Sequence, residues 1–140
     1  MPAKDTYHDA CVRALVKDGW TITDEPLTVP VDATDLFIDI GAERLVTAER
    51  DSERIAVEVK SFVSLSEVQD LKEAVGQYAL YNFALQQSAT DSDRILYLAV
   101  RSAIYESVFI EGVGKLFIRN NAIRLLVFDP IVEEIRHWIR

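Results

Sequence analysis

A single cysteine, a single methionine and a shortage of positive charge rule out several kinds of protein at the outset. Cys11 has no second cysteine with which to close an internal disulfide or build a zinc motif. No apolar run approaches the ~20 residues that cross a bilayer. Residues 1–17 are charged throughout and do not read as a secretory signal. The expectation is a soluble cytoplasmic protein without membrane attachment. Fifteen Lys and Arg stand against twenty-three Asp and Glu, a net charge of −8, and the basic residues form no block. Proteins that neutralise DNA phosphates gather Lys and Arg on one face. Nucleic-acid contact here therefore calls for a local basic patch, a bound cation or a partner that brings the charge.

What is present is apolar material: 49% of 140 residues, enough for the core of one globular domain and too short a chain for two. Tyr7, Ala10, Cys11, Ala14 and Leu15 recur at helical spacing, with Thr6 and Asp9 approximating a capping box and Gly19 as a stop. His8 and Asp9 lie beside that stripe and read as solvated helix positions. Pro26 and Pro30 punctuate a loop up to Asp35. Three short strands follow at 36–40, 45–48 and 55–59, the last two joined by a polar hairpin turn over 49–54.

Val68, Leu71, Val75, Tyr78 and Ala79, widened by Leu80, Tyr81 and Ala84, predict a long helix buried over much of its circumference. Ser66 with Gln69, or Ser64 with Glu67, would cap it. Gly76 inside it suggests close packing, and Gln77 is a polar residue in an apolar setting. Residues 95–100 read as a strand buried on both faces, 103–109 and 113–118 as short helical pieces, and 124–128 as a last strand. Ile131, Ile135, Trp138 and Ile139 predict a C-terminal helix. Trp20 and Trp138 read as core and edge packing. The order gives a mixed sheet with helices on both faces, an α/β sandwich.

Four ionisable residues sit in the strand region where core residues are expected: Asp39, Glu43, Glu58 and Lys60. Glu58 and Lys60 are two apart, so both leave one face while Ile55, Val57 and Val59 share the other. Carboxylates grouped beside an ammonium suggest a divalent-metal site, or else a satisfied polar cluster with no metal.

This order, with Asp39/Glu43 ahead of Glu58-x-Lys60, resembles the PD-(D/E)XK nuclease superfamily, whose fold is the restriction-endonuclease-like sandwich. A closer resemblance, running almost end to end, is to the XisH family, named for controlling excision of the fdxN DNA element. It rests on Lys17-Asp18-Gly19-Trp20-Thr21-Ile22-Thr23, Asp39-Ile40-Gly41-Ala42-Glu43, Ile55-Ala56-Val57-Glu58-Val59-Lys60-Ser61-Phe62 and Ala74-Val75-Gly76-Gln77-Tyr78, with Phe128-Asp129-Pro130 and Trp138 near the end. The resemblance implies one nuclease-like domain over residues 1–140, with Glu58 and either Asp39 or Glu43 as carboxylate ligands of Mg²⁺ or Mn²⁺. It further implies that Lys60 attends the attacking water and the phosphate, and that Gln77 approaches the site from the following helix. His8 or Asp9 stands where resolvase-like members carry a glutamate. The implied function is either a metal-dependent DNA endonuclease in programmed excision or a non-catalytic accessory factor on the same scaffold. The implied partners are the companion factor XisI and a site-specific recombinase, with DNA engaged through a partner or a metal. The resemblance also leaves room for a homo-oligomer.

Overall fold

The computed structural model describes residues 5–45 and 52–140. It opens with α1 (His8–Lys17), which buries Cys11, Ala14 and Leu15 along one stripe. Thr6 does not cap it: Asp5 Oδ1 accepts the Tyr7 N–H at 3.0 Å instead. Gly19, at φ +94°, turns the chain out of the helix into β1 (Thr21–Asp24). A left-handed φ of this kind favours glycine because it carries no Cβ.

The stretch expected as a loop is a hairpin, β2 (Leu27–Val31) and β3 (Thr34–Ile38), with Pro30 opposite Asp35. The prolines masked an alternation in which Leu27 and Val29 are buried. Only two strands make this small sheet, so Pro30 withholds no bond from a central ladder. The strand expected at 36–40 is interrupted at Asp39, and β4 (Ile40–Leu45) begins beyond it. Residues 46–48 of the strand expected next, and 49–51 of the expected turn, lie outside the described residues. β5 (Ser52–Val59) follows.

α2 (Glu67–Gln87) is capped by Ser66, whose Oγ accepts the Gln69 N–H at 3.1 Å. Ser64 instead donates its hydroxyl to the Ser66 carbonyl. Leu71, Ala74, Tyr78, Ala84 and Leu85 are buried, but Val68 and Leu80 are exposed. The broad apolar girdle therefore overstated the burial. A Cβ added at Gly76 would meet nothing within 4 Å, which corrects the close packing expected there. Beyond α2 come β6 (Ile95–Arg101), α3 (Ser102–Ile104), a π-helical turn at Tyr105–Ile110, α4 (Lys115–Arg119) and β7 (Leu125–Asp129).

The expected C-terminal helix is a strand, β8 (Glu134–Ile139), antiparallel to β7. Asp129 Oδ1 accepts the N–H groups of Ile131 and Val132 and turns the chain back. A bulge then pairs Ile135 with Phe128 but Trp138 with Leu126. The extra residue puts Ile135 and Trp138, three apart in sequence, against the same core cluster. That spacing imitates a helix. Trp138 lies 5.6 Å from Trp20, centroid to centroid, and 4.9 Å from Tyr97.

The main sheet has the order β1-β4-β5-β6-β7-β8, with β5, β6 and β7 mutually parallel and the remaining pairs antiparallel. One core cluster joins Cys11, Ala14 and Leu15 of α1 to Ile55, Val57 and Val59. The other joins α2 and the β2–β3 hairpin to Ala56, Leu96, Leu98 and Val100. This is the mixed, restriction-endonuclease-like α/β sandwich the sequence leads one to expect. No helix among the described residues is long and apolar enough to cross a membrane.

Arg94 ties one end of the sheet together. Its guanidinium donates to the Ile55 carbonyl at 2.9 Å, to Asp24 Oδ2 at 3.1 Å and to Asp91 Oδ1 at 2.7 Å. A Cβ on Gly41 would come within 2.9 Å of the Asp24 carboxylate, so this network also explains the glycine on β4. Arg94→Ala would leave the buried Ile55 carbonyl without its side-chain donor and the Asp91 carboxylate with Arg54 as its remaining cation. The expected loss is about 3 kcal/mol, read as a lowered midpoint in urea or thermal melting.

Candidate active site

Alternation along β5 sends Ile55, Val57 and Val59 toward α1 and leaves Ala56 and Glu58 facing α2. The β4–β5 register pairs Ile40 with Val57, which brings Asp39 beside Glu58. Two hydrogen bonds run in opposite directions between them. Glu58 Oε1 accepts the Asp39 N–H at 3.1 Å, and Asp39 Oδ2 accepts the Val59 N–H at 2.8 Å. Glu58 is only 8% exposed. Burial and then the Asp39 charge push its pKa up to about 9. Burial raises Asp39 as well, against the lowering effect of the Val59 N–H.

Asp39, Glu58, Val59, Lys60 and Gln77 line a cleft of about 150 Å³ together with Asp5. Lys60 Nζ donates to Glu73 Oε2 at 3.0 Å, an ion pair whose glutamate is half exposed. Glu73, Gln77 and Tyr81 follow one another at four-residue intervals on α2, which places them on one helical face. The Tyr81 phenol is pushed up to about 12 by burial and by the charges of Glu58 and Asp39.

Glu43 is not brought to this cleft. It pairs with Arg54 and Thr21 along the sheet, four residues from the Asp39 end of β4, roughly 13 Å at strand spacing. His8 is buried rather than solvated, with Nε2 against Glu25 Oε2 at 2.9 Å, whereas Asp9 is exposed as expected. His8, Asp9 and Glu25 can bring ligand atoms within 4.8 Å of one another, the one such trio among the described residues.

Two contributors escaped the sequence reading. Asp5 reaches the cleft by accepting the Ser61 N–H at 2.9 Å on Oδ2 and the Ser61 hydroxyl on Oδ1. Lying ahead of the first helix, it belongs to no periodic pattern. Tyr81 was absorbed into the apolar stripe of α2. The four-residue spacing from Gln77 was the available signal for it.

The family model described as "XisH protein" matches residues 1–136, which span every residue of the cleft. The chain belongs to the XisH family. A crystal structure of an XisH family protein from Nostoc punctiforme is similar at 39% identity, covering 97% of this chain and 100% of that one, with a TM-score of 0.84. A second, of an fdxN element excision controlling factor protein from Anabaena variabilis, is similar at 38% identity, covering 98% and 100%, with a TM-score of 0.83. No curated protein sequence matches this XisH chain.

The residues of this XisH cleft fit a divalent cation. The acidic side chains at its floor offer oxygen, the donor that Mg²⁺ and Mn²⁺ take. Two adjacent buried carboxyls resist ionising together, so the upward shifts mark a deficit of positive charge that a cation would fill.

A pH dependence follows from that deficit. Folded, Glu58 keeps its proton up to about pH 9; unfolded, it releases it near the ordinary glutamate value. The native state therefore holds more protons between about pH 5 and 9, and stability falls as pH rises through that window. In EDTA, Glu58→Gln should melt above wild type, with the gap widening from pH 5 to pH 9. Thermal melts across that range check it, and added Mn²⁺ should raise wild type alone at the alkaline end.

Proposed function

We propose that this XisH chain is a metal-dependent endodeoxyribonuclease of the PD-(D/E)XK type, acting in programmed DNA excision as an excision controlling factor. The observation that carries the reading is the buried Asp39–Glu58 pair opening onto a cleft that also holds Lys60. In this reading Asp39 and Glu58 hold Mg²⁺ or Mn²⁺, and Glu43, remote from the cleft, does not. The bound cation supplies Lewis-acid polarisation of the phosphate and a more acidic water.

The other roles belong to the chain. Lys60 leaves its half-exposed partner Glu73 for the phosphate, an exchange that costs little because such surface pairs contribute roughly 0–1 kcal/mol. Its ammonium then offsets charge on the phosphate and holds the attacking water. Gln77 offers an amide donor and acceptor from α2 without adding charge. Asp5, braced by Ser61, fixes the side of the cleft nearest α1.

Two substitutions separate catalysis from scaffold. Glu58→Gln should abolish both metal uptake in calorimetric titration and nicking of plasmid or branched DNA. Lys60→Ala should lose nicking by at least about 100-fold, the lower end for a positioned proton-transfer or charge-stabilising group, while keeping metal affinity. Wild type that takes up no metal and nicks nothing would remove the nuclease reading.

A second reading has its own observation. The net charge is −8, and Arg13, Arg44, Arg54, Arg94, Arg136 and Arg140 are each held by carboxylates. That favours a scaffold working through a charge-bearing companion, XisI or a site-specific recombinase. Duplex DNA should accordingly bind the isolated chain weakly at physiological salt and more tightly with the companion present. Gel-shift titrations with and without that companion measure the difference; tight, salt-insensitive binding by the chain alone would count against partner dependence.

A further inference from the structure

Arg101 stands apart from the carboxylate-bound arginines. Among the described residues no acid pairs with it; its guanidinium instead lies 4.8 Å over the ring of Tyr7. Its position on the sheet is what gives this consequence. The Lys60 N–H donates to the Ala99 carbonyl, so the cleft end of β5 lies beside Ala99 of β6. Arg101 is two residues further along β6, roughly 7 Å beyond that point at strand spacing. Tyr97 and Ala99 pack toward α1 while Leu98 and Val100 pack toward α2, and alternation turns Arg101 to the α1 side, where Tyr7 lies.

Tyr7 is itself tied to the cleft. Its N–H donates to Asp5 Oδ1, and Asp5 lines the cleft and binds Ser61. The aromatic platform, the acid and the end of β5 thus form one braced unit. Arg124, also without an acid partner among the described residues, precedes β7. The parallel register aligns Glu58 with Leu98 and Leu125, so Arg124 lies two strands to the side of the cleft, in a separate pocket with Asn82 and Arg140. A guanidinium stacked on a ring keeps its N–H edges directed outward and gives up little freedom on binding. Such an edge matches a phosphate in bidentate fashion.

Resting on the nuclease reading above, we propose that Arg101, stacked on Tyr7, holds a backbone phosphate of the nucleic-acid strand lying across the cleft, flanking the phosphate attended by Lys60. Arg101 is a substrate-positioning residue and takes no part in the chemistry at the cation.

The test uses fluorescence anisotropy of a short labelled duplex and its single strand, titrated with the full chain in Ca²⁺ over a series of salt concentrations. Arg101→Gln should weaken binding about tenfold and make the logarithmic salt dependence shallower by about one. Arg101→Lys should restore the salt dependence but only part of the affinity, since an ammonium lacks the bidentate edge. Manganese uptake and melting temperature should stay at wild-type values in both variants. An unchanged isotherm for Arg101→Gln, a loss that tracks a lowered melting temperature, or no nucleic-acid binding by wild type would overturn the proposal. The nuclease reading fails separately, through absent metal uptake and nicking by wild type. Wild type that binds metal and nicks, with Arg101→Gln doing both and binding DNA equally well, would remove Arg101 alone.

Discussion

Asp39 exchanges hydrogen bonds with the end of β5, and both the topology and the cleft depend on that exchange. The chain from Thr34 to Leu45 could run as one long strand, but the bend at Asp39 divides it. Before the bend, β3 folds back on β2 and covers α2's side of the core with Ile38. After it, β4 enters the main sheet and buries Ile40 and Ala42 against α1. The residue at the division satisfies its own N–H with Glu58 and the Val59 N–H with its carboxylate. A buried backbone donor left unpaired costs about 1–3 kcal/mol, so a strand break there needs these two bonds. The acids of the cleft are therefore also the joint of the fold.

Charge is distributed to the same effect. Arginine is tied down by carboxylates across much of the surface, and Arg94 is sunk into the sheet. What remains outward is negative on balance, in keeping with the net charge of −8. An anionic substrate meets that field everywhere except where a cation or an unpaired guanidinium interrupts it, and screening in salt softens the repulsion without reversing it. Lys60, Arg101 and a divalent ion held by Asp39 and Glu58 would all interrupt it at one end of the sheet.

The central strands were legible because they are buried on both faces, and residues 95–100 announce that in a continuous apolar run. Glu58 and Lys60 were legible for the converse reason, as charges where apolar residues belong. β8 was not: a bulge shifts its register by one residue and turns a strand's alternation into the spacing of a helix. The β2–β3 hairpin was hidden by two prolines that its peripheral position tolerates. The choice between Asp39 and Glu43 could not be read from spacing, because either separation from Glu58 is acceptable along a chain. Register separates the two, placing Asp39 beside Glu58 and Glu43 beside Arg54. Asp5 could not be found from its neighbours at all, since its partner Ser61 is fifty-six residues away in the chain.

The two jobs of the acid pair make opposite demands, and the mismatch is informative. Joining β4 to β5 requires only acceptors for the N–H groups of Asp39 and Val59. Asn and Gln carry such an acceptor on side chains of nearly the same shape, with no charge to desolvate. Two carboxyls instead crowd together in a buried corner, and each makes the other harder to ionise. The fold gains nothing from this over the amides and loses stability as the pH rises. A feature that lowers stability while serving no structural need that a neutral side chain could not serve points to use elsewhere. An ammonium two residues on, directed to a half-exposed glutamate, does not supply the missing charge at the pair itself. A hard cation would, because it needs ionised oxygens and repays their crowding. On that ground the acid identity of Asp39 and Glu58, more than their position, supports the metal-dependent reading over the scaffold.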